Sequence, residues 1–336
     1  MRKKINSKTV FGLLAFLFAF SLMALPFPAL AASGDPENSV KKIRLDLVIS
    51  GGAGYWLKGP GDLDQYRISL EKAVADLPSA YYSSKSFDWK KPVLQTDFSA
   101  EILVRFGRYF GIGLGTGYLR GTSNGRYSTD YHYSYSYSYY STYREDSTRN
   151  YTQDYKITAV PIKLDFYFFL PLGKSERVSL FAHVAPGYYF GKLRHDYNYQ
   201  ADGEYQWGSS KYAIDSGFKV HETATCNVLG ISGGLGLRMK IFSHMSLGAE
   251  IYGRRVNFQN WEGDYTEQWD DESGYEGMHG YLYTYEIKNS LDGRKTYTYM
   301  YILEDDIKKN NNIQNVKKTS LNLNAFGLLL SVNYSF

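Results

Sequence analysis

Residues 160–193 read VPIKLDFYFFLPLGKSERVSLFAHVAPGYYFGKL, two alternating stretches around a short polar turn. In the first, Ile162, Leu164, Phe166 and Phe168 alternate with Lys163, Asp165 and Tyr167. In the second, Val178, Leu180, Ala182, Val184 and Tyr188 alternate with Ser179, His183 and Gly187. A strand sends successive side chains to opposite faces, so period two predicts β-strands with one apolar face.

Six further runs carry the same pattern. They are Ile43 to Ala53, Phe98 to Gly107, Gly111 to Tyr118, Leu229 to Arg238, Met245 to Arg254 and Phe326 to Phe336. Opposite the aliphatic and aromatic residues stand Gly and Ser with isolated ionisable groups. In a soluble sandwich that second face would meet water and be rich in Lys, Glu and Thr. Small residues suit the inside of a narrow closed barrel, which cannot hold large side chains from every strand. The apolar face then meets lipid, and each run has the roughly 9–11 residues that a tilted strand needs to cross a bilayer.

The connections alternate short and long, with short turns near Arg108, Pro171 and Lys240 and long segments at about 57–92, 120–155, 194–223 and 259–318. Short turns on one side and long loops on the other suit an outer-membrane barrel with both termini in the periplasm. The expectation is an all-β protein: an eight-stranded antiparallel transmembrane β-barrel with long extracellular loops, over residues 32–336.

Residues 1–31 fit a signal peptide, with Arg2, Lys3, Lys4 and Lys8 before an apolar run from Val10 to Leu25 and small residues at Ala29-Leu30-Ala31. The alternative is a retained anchor, for which about 16 apolar residues are short. Removing those four cations takes the 38 basic residues to 34, equal to the 34 acidic ones. Net charge therefore gives no reason to expect a nucleic-acid partner. The single cysteine, Cys226, cannot form an internal disulfide and reads as a packing residue.

The signal peptide, the alternating runs, the 160–193 hairpin and the final strand LNLNAFGLLLSVNYSF together resemble the bacterial outer-membrane β-barrel superfamily, in its small OmpA/OmpX/OmpW-like form. The terminal Phe336, with apolar residues at alternate positions before it, is similar to the signal read by the barrel-assembly machinery in that superfamily. The resemblance implies the outer membrane of a Gram-negative bacterium, with lipid, lipopolysaccharide and the assembly machinery as partners. It covers the barrel and not the loops, which are longer than in the small members.

On the inward face, Arg44, Asp46, Glu101, Arg105, Lys163, Asp165, His183, Arg238, Glu250 and Arg254 are expected to form a polar network. Paired charges would satisfy one another in a space about filled by side chains, and a polar conduit is the competing reading. Gly230-Ile231-Ser232-Gly233-Gly234 matches G-x-S-x-G, yet lies within an alternating strand and not at the sharp turn a nucleophile needs. His244, Ser246 and Glu250 resemble the His, Ser and Glu of outer-membrane lipid A deacylases, but the lumen face is the wrong side for acyl chains. No catalytic, cofactor or metal site is assigned.

The long segments hold 25 of the 33 tyrosines. Tyr131, Tyr133, Tyr135, Tyr137 and Tyr139 alternate with His132 and serines, which predicts strands projecting beyond the membrane with tyrosines along one face. Tyr281, Tyr283 and Tyr285 are expected to answer Tyr297, Tyr299 and Tyr301 in a hairpin across Asp292-Gly293. These tyrosines suit recognition of a glycan or protein, or they stiffen the sheet by packing across strands. Leu63, Tyr66, Leu70, Ala73, Val74 and Leu77 predict a helix capped by Asp62 over the mouth of the barrel. The acidic segment 262–276 fits no calcium motif and reads as a solvated, self-paired loop.

The function expected is that of a non-enzymatic surface protein whose barrel anchors adhesive or ligand-binding tyrosine-rich loops. The alternatives are a narrow channel for small or apolar solutes and an outer-leaflet lipid A-modifying enzyme.

Overall fold

The computed structural model describes residues 43–57, 59–138, 141–173, 177–270, 275–288, 295–304 and 312–336. The expected signal peptide, Tyr139 and the Asp292-Gly293 turn lie outside the described residues. The fold is all-β and antiparallel apart from one helix. In chain order the elements are β1 (Ile43–Trp56), α1 (Asp62–Ala75), β2 (Tyr82–Trp89), β3 (Leu94–Phe106), β4 (Phe110–Ser138), β5 (Ser141–Leu172), β6 (Val178–Trp207) and β7 (Ser210–Lys240). Then come β8 (Met245–Arg255), β9 (Asn257–Phe258), β10 (Glu262–Trp269), β11 (Tyr275–Lys288), β12 (Thr296–Leu303), β13 (Ile313–Lys318), β14 (Leu321–Asn322) and β15 (Ala325–Ser335).

Eight strands pair in a cycle that returns to its start. β1 pairs β3, each of β3 to β7 pairs the next strand of the ring, β7 pairs β8, β8 pairs β15, and β15 pairs β1. Closure leaves no unpaired edge along the ring. The expected count of eight covers this ring alone, since the described residues contain 15 strands.

The extra strands correct the reading of the long segments as loops. β4, β5, β6 and β7 have 29, 32, 30 and 31 residues, so they run far past the ring. β6 and β7 reverse at Gly208, whose φ of 61° is a left-handed conformation that glycine adopts without strain. The aliphatic residues stop where the strands leave the apolar zone, but period two and backbone pairing continue with Tyr, Ser and Thr. The 57–92 segment holds α1 and β2, and β10 to β13 occupy 259–318.

An apolar core lies at the end of the ring opposite the short turns. Trp56, Leu119 and Tyr189 from ring strands meet Phe258, Trp261, Leu282, Ile302 and Leu323, all at most 2% exposed. α1 contributes Leu63 and Tyr66 to it, as the helical spacing predicts. Asp62 is not the N-cap. Gly61 holds that position, while the buried Asp62 carboxylate accepts from Lys317 Nζ and from the Ser320 N–H, both at 2.7 Å. The helix is thereby tied to the segment that leads back to the ring.

Candidate functional site

Inward positions of the ring carry a charged network. Asp46 on β1 accepts from Arg238 Nη1 on β7 at 2.8 Å, and Arg105 on β3 approaches the same oxygen at 3.9 Å. Arg254 binds Asp97 and, through Nη2, Gln95 Oε1 at 2.7 Å. The Tyr167 hydroxyl donates to Glu101 at 3.0 Å. His183 lies between two carboxylates, with Nδ1 2.9 Å from Asp165 and Nε2 2.7 Å from Glu250.

The His183 geometry fixes a proton count. A neutral imidazole has one N–H, so two bonds to carboxylates need a second proton, either on the ring or on a carboxyl group. Five acids, Asp46, Asp97, Glu101, Asp165 and Glu250, face four permanent cations, Arg105, Lys163, Arg238 and Arg254. The shared proton brings this interior to neutrality, which is what a low-dielectric space demands. Glycine makes room for it: a Cβ at Gly113 would collide with the Glu101 carboxylate, and one at Gly234 with that of Glu250.

Nine of the ten expected network residues occupy this interior. Arg44 does not, because it sits exposed at the start of β1, opposite Arg105 in register. Lys163 lines a small polar cavity with Ser50, Ser99, Glu101, Asp165 and Glu250, and makes no ion pair among the described residues. Sequence reading missed Asp97 and Gln95, which continue the inward positions of β3 beyond the run that was read. It placed Tyr167 on the inward face without assigning it a partner.

The accidental motifs resolve simply. Gly230 to Gly234 lies within β7. Ser246 Oγ accepts from Arg238 Nε at 2.7 Å, Glu250 is held by His183, and the exposed His244 faces the Ser335 carbonyl at 3.0 Å. His244, Ser246 and Glu250 therefore form no joint site. The buried Cys226 thiol donates to the Gln259 carbonyl at 2.8 Å, and burial pushes its pKa up.

The projecting strands carry aromatic rows that continue the inward positions. One row runs from Phe87 through Tyr127, Tyr151, Tyr199 and Phe218 to Trp269, with neighbouring ring centroids 4.1–6.4 Å apart. A second runs from Tyr81 through Tyr133, Tyr143 and Tyr205 to Tyr212, at 4.9–6.1 Å. Lower down, Tyr155 stacks on His195 at 3.9 Å and on Trp89 at 5.8 Å. His195 Nδ1 meets Glu222 at 2.6 Å, and Glu222 also accepts from the Ile302 N–H at 2.9 Å.

Cross-strand packing thus engages most of the expected binding tyrosines. Tyr131, Tyr133, Tyr285, Tyr297 and Tyr299 are half-buried, and Tyr135 is exposed. Tyr283 is buried and is corrected from a surface residue: Leu282 and Thr284 on either side of it are buried too, so both faces of β11 are covered at this point. Tyr137 lies in β4, with its side chain outside the described set. The hairpin has Tyr283 opposite Tyr301 and Tyr285 opposite Tyr299, whereas Tyr281 faces Leu303. Burial pushes the hydroxyls of Tyr151 and Tyr285 up to about 12, and that of Tyr143 as well with help from Glu145, so these three stay protonated at neutral pH.

Tyr212 and Trp269, which end the two rows, and Trp207, 6.0 Å from Tyr143, remain about half exposed. Sequence reading missed them, although Tyr205 and Trp207 alternate just as the tyrosines of 131–135 do.

Outward positions of the ring are apolar and open. Ile49, Ile102, Leu114, Ile162, Val184, Leu235, Ile251 and Leu330, one from each ring strand, are 51–69% exposed. Aromatics bound this belt: Tyr55, Phe98, Tyr118 and Phe326 at the core end, and Phe106, Phe110, Phe168 and Tyr334 at the turn end. Neither a protein-family model nor a curated protein matches this chain.

Proposed function

We propose that the ring is an eight-stranded transmembrane β-barrel of the bacterial outer membrane, resembling the OmpA/OmpX/OmpW-like proteins, and that it anchors a surface-exposed aromatic sheet that binds a glycan or protein. The observation that carries the reading is the exposed apolar belt on all eight ring strands. Water would disfavour so large a continuous apolar surface, whereas lipid tails match it. Phe110 and Tyr118, and Phe326 and Tyr334, each lie eight positions apart, or about 27 Å along a strand. At a tilt of roughly 40° that gives about 20 Å along the membrane normal, close to the apolar band between aromatic girdles in such barrels.

The charge-balanced interior, with Asp46, Asp97, Asp165 and Glu250 held by Arg238, Arg254 and His183, and the apolar core over one end support anchoring over conduction. The aromatic rows support recognition, because Tyr and Trp offer rigid contact area with a hydrogen-bonding tip. Residues 1–31 would direct export, and Phe336 would be read at assembly.

Two measurements test this. Full-length protein should resist alkaline carbonate extraction from membranes and shift in gel mobility on heating. Release by carbonate with no shift overturns the anchor. Cells displaying the wild type should bind a component of a glycan and matrix-protein panel, and a Trp207→Ala/Tyr212→Ala/Trp269→Ala variant with an intact gel shift should lose that binding. Equal binding by the variant overturns the aromatic surface, and discrete conductance steps in planar bilayers overturn the anchor in favour of a channel.

A further inference from the structure

Ser83, His132 and Asp146 come from three neighbouring strands and meet on the face of the projecting sheet opposite the aromatic rows. Asp146 Oδ1 on β5 lies 2.5 Å from His132 Nδ1 on β4, and His132 Nε2 lies 2.9 Å from Ser83 Oγ on β2. We propose that these residues form a nucleophilic triad that hydrolyses short-chain acyl esters of polar molecules, an activity beyond the anchoring and binding assigned above.

Local structure explains how the serine reaches the histidine. The register of β2 against β4 slips between Tyr82 and Ser84, so Ser83 is the extra residue of a β-bulge. Unbroken alternation would send Ser83 and Ser84 to opposite faces. The bulge re-aims one of them, and both reach polar partners on the same face, Ser83 at His132 and Ser84 at Asp130. Asp130 is already occupied, accepting from Ser84 and from Thr148 Oγ1 at 2.8 Å. His132 and Asp146 are directly opposite in the β4–β5 register, which holds the ring against the carboxylate.

Each group fits its role. Asp146 fixes the imidazole with Nδ1–H facing it, leaving Nε2 to accept the serine proton. Its bond to His132, aided by Arg144 Nε at 2.7 Å, holds the Asp146 carboxyl below the usual carboxylate range. His132 and Asp146 are positioned without being sealed, with side chains 51% and 28% exposed. Among the described strands β2 pairs only β4, so no strand covers its other edge beside Ser83. Among the described residues the neighbouring positions on this face are Asp130, Arg144, Ser84 and Ser86, with Glu204 opposite Asp146 in register, all polar, which selects a small acyl group on a hydroxylated carrier over a fatty acyl chain.

In the reaction, Ser83 Oγ attacks the ester carbonyl as its proton passes to His132 Nε2. The C–O bond to the alcohol breaks, and the alcohol leaves with that proton. Water then attacks the acyl-serine, giving one proton to His132, which returns it to Ser83 Oγ as the carboxylic acid is released. Ester and water become acid and alcohol, with no other reactant.

The test uses full-length protein in detergent, with a fluorophosphonate probe and the p-nitrophenyl esters of acetate and palmitate. The probe forms a P–O bond to a nucleophilic serine and expels fluoride, so peptide mass spectrometry should find one adduct, on Ser83. Ser83→Ala and His132→Gln should abolish both the adduct and acetate hydrolysis while keeping the gel mobility of the wild type. For Asp146→Asn, a positioning change, kcat should fall at least ~100-fold with KM within about twofold. No Ser83 adduct on the wild type, or undiminished hydrolysis by Ser83→Ala, overturns the triad. Faster turnover of palmitate overturns the assignment of acyl class.

Discussion

Asp46 and Arg238 lie 192 positions apart in sequence and meet at 2.8 Å across the ring interior, the carboxylate wholly buried and the guanidinium nearly so. Arg238 gives its Nε to Ser246, so its planar fork is held at two points. Asp46→Asn would leave a buried cation short of its counterion, a loss of about 3–5 kcal/mol. The temperature at which the folded gel band disappears should fall. A joint Asp46→Leu and Arg238→Met exchange removes both charges and should recover most of that loss. If the double variant is no better than the single one, the pair is not what the interior depends on.

Leu235 points outward from β7 and is 69% exposed. In a soluble protein, Leu235→Arg at such a position would be nearly neutral or would raise solubility. At the midplane of a bilayer it costs roughly 2–4 kcal/mol. Folding into vesicles with denaturant titration should show that loss, and Lys219→Arg on the projecting part of β7 should show none. An unchanged midpoint for Leu235→Arg would contradict a lipid-facing belt.

Tyr155 is sandwiched between His195 and Trp89, with interplanar angles of 4° and 8°. Tyr155→Ala should remove about 3–5 kcal/mol from the projecting sheet by opening a cavity in a packed layer. The ring has its own hydrogen-bonded closure, so the damage should be local. Limited proteolysis is expected to cut β6 and β7 beyond Leu193 and Ala224 while the fragment that contains the ring keeps its heat-dependent mobility. Simultaneous loss of both parts would mean that the sheet and ring unfold as one unit.

The eight ring strands were legible because the alternation of Ile162–Phe168, or of Phe326–Phe336, records two environments at once. Inward charges were equally legible, since Lys163, Asp165 and His183 interrupt strands whose other inward residues are small. The extent of β4 to β7 was obscured where the aliphatic signal ends at Leu119 and Val228, although backbone pairing does not depend on it. His195 with Glu222, and Ser83 with His132, left no local trace. Each pair joins segments far apart in sequence, and Ser83 depends on a one-residue register slip that alternation hides. Asp62 looked like an N-cap by type and position, but Lys317, 255 residues away, claims its carboxylate.

His279 on β11 reaches back to two acids of β10, with Nδ1 2.8 Å from Asp264 and Nε2 3.3 Å from Glu262. The segment that reads as a solvated, self-paired loop is, over Glu262–Trp269, a strand whose charges are partly met by this imidazole. The bond to Asp264, followed by that to Glu262, raises the His279 pKa above its ordinary value. The folded state therefore holds the proton more tightly than the unfolded chain. The contribution is complete below about pH 6.5, the unfolded value, and disappears as pH rises through the folded value. The site is fully exposed and screened, so the effect should be local, seen as faster amide exchange between β10 and β11 at higher pH. Proton NMR of the ring should give a midpoint above 6.5, moved downward by Asp264→Asn more than by Glu262→Gln. A midpoint at or below 6.5 in the wild type, or a larger response to Glu262→Gln, would show that Asp264 is not the principal partner.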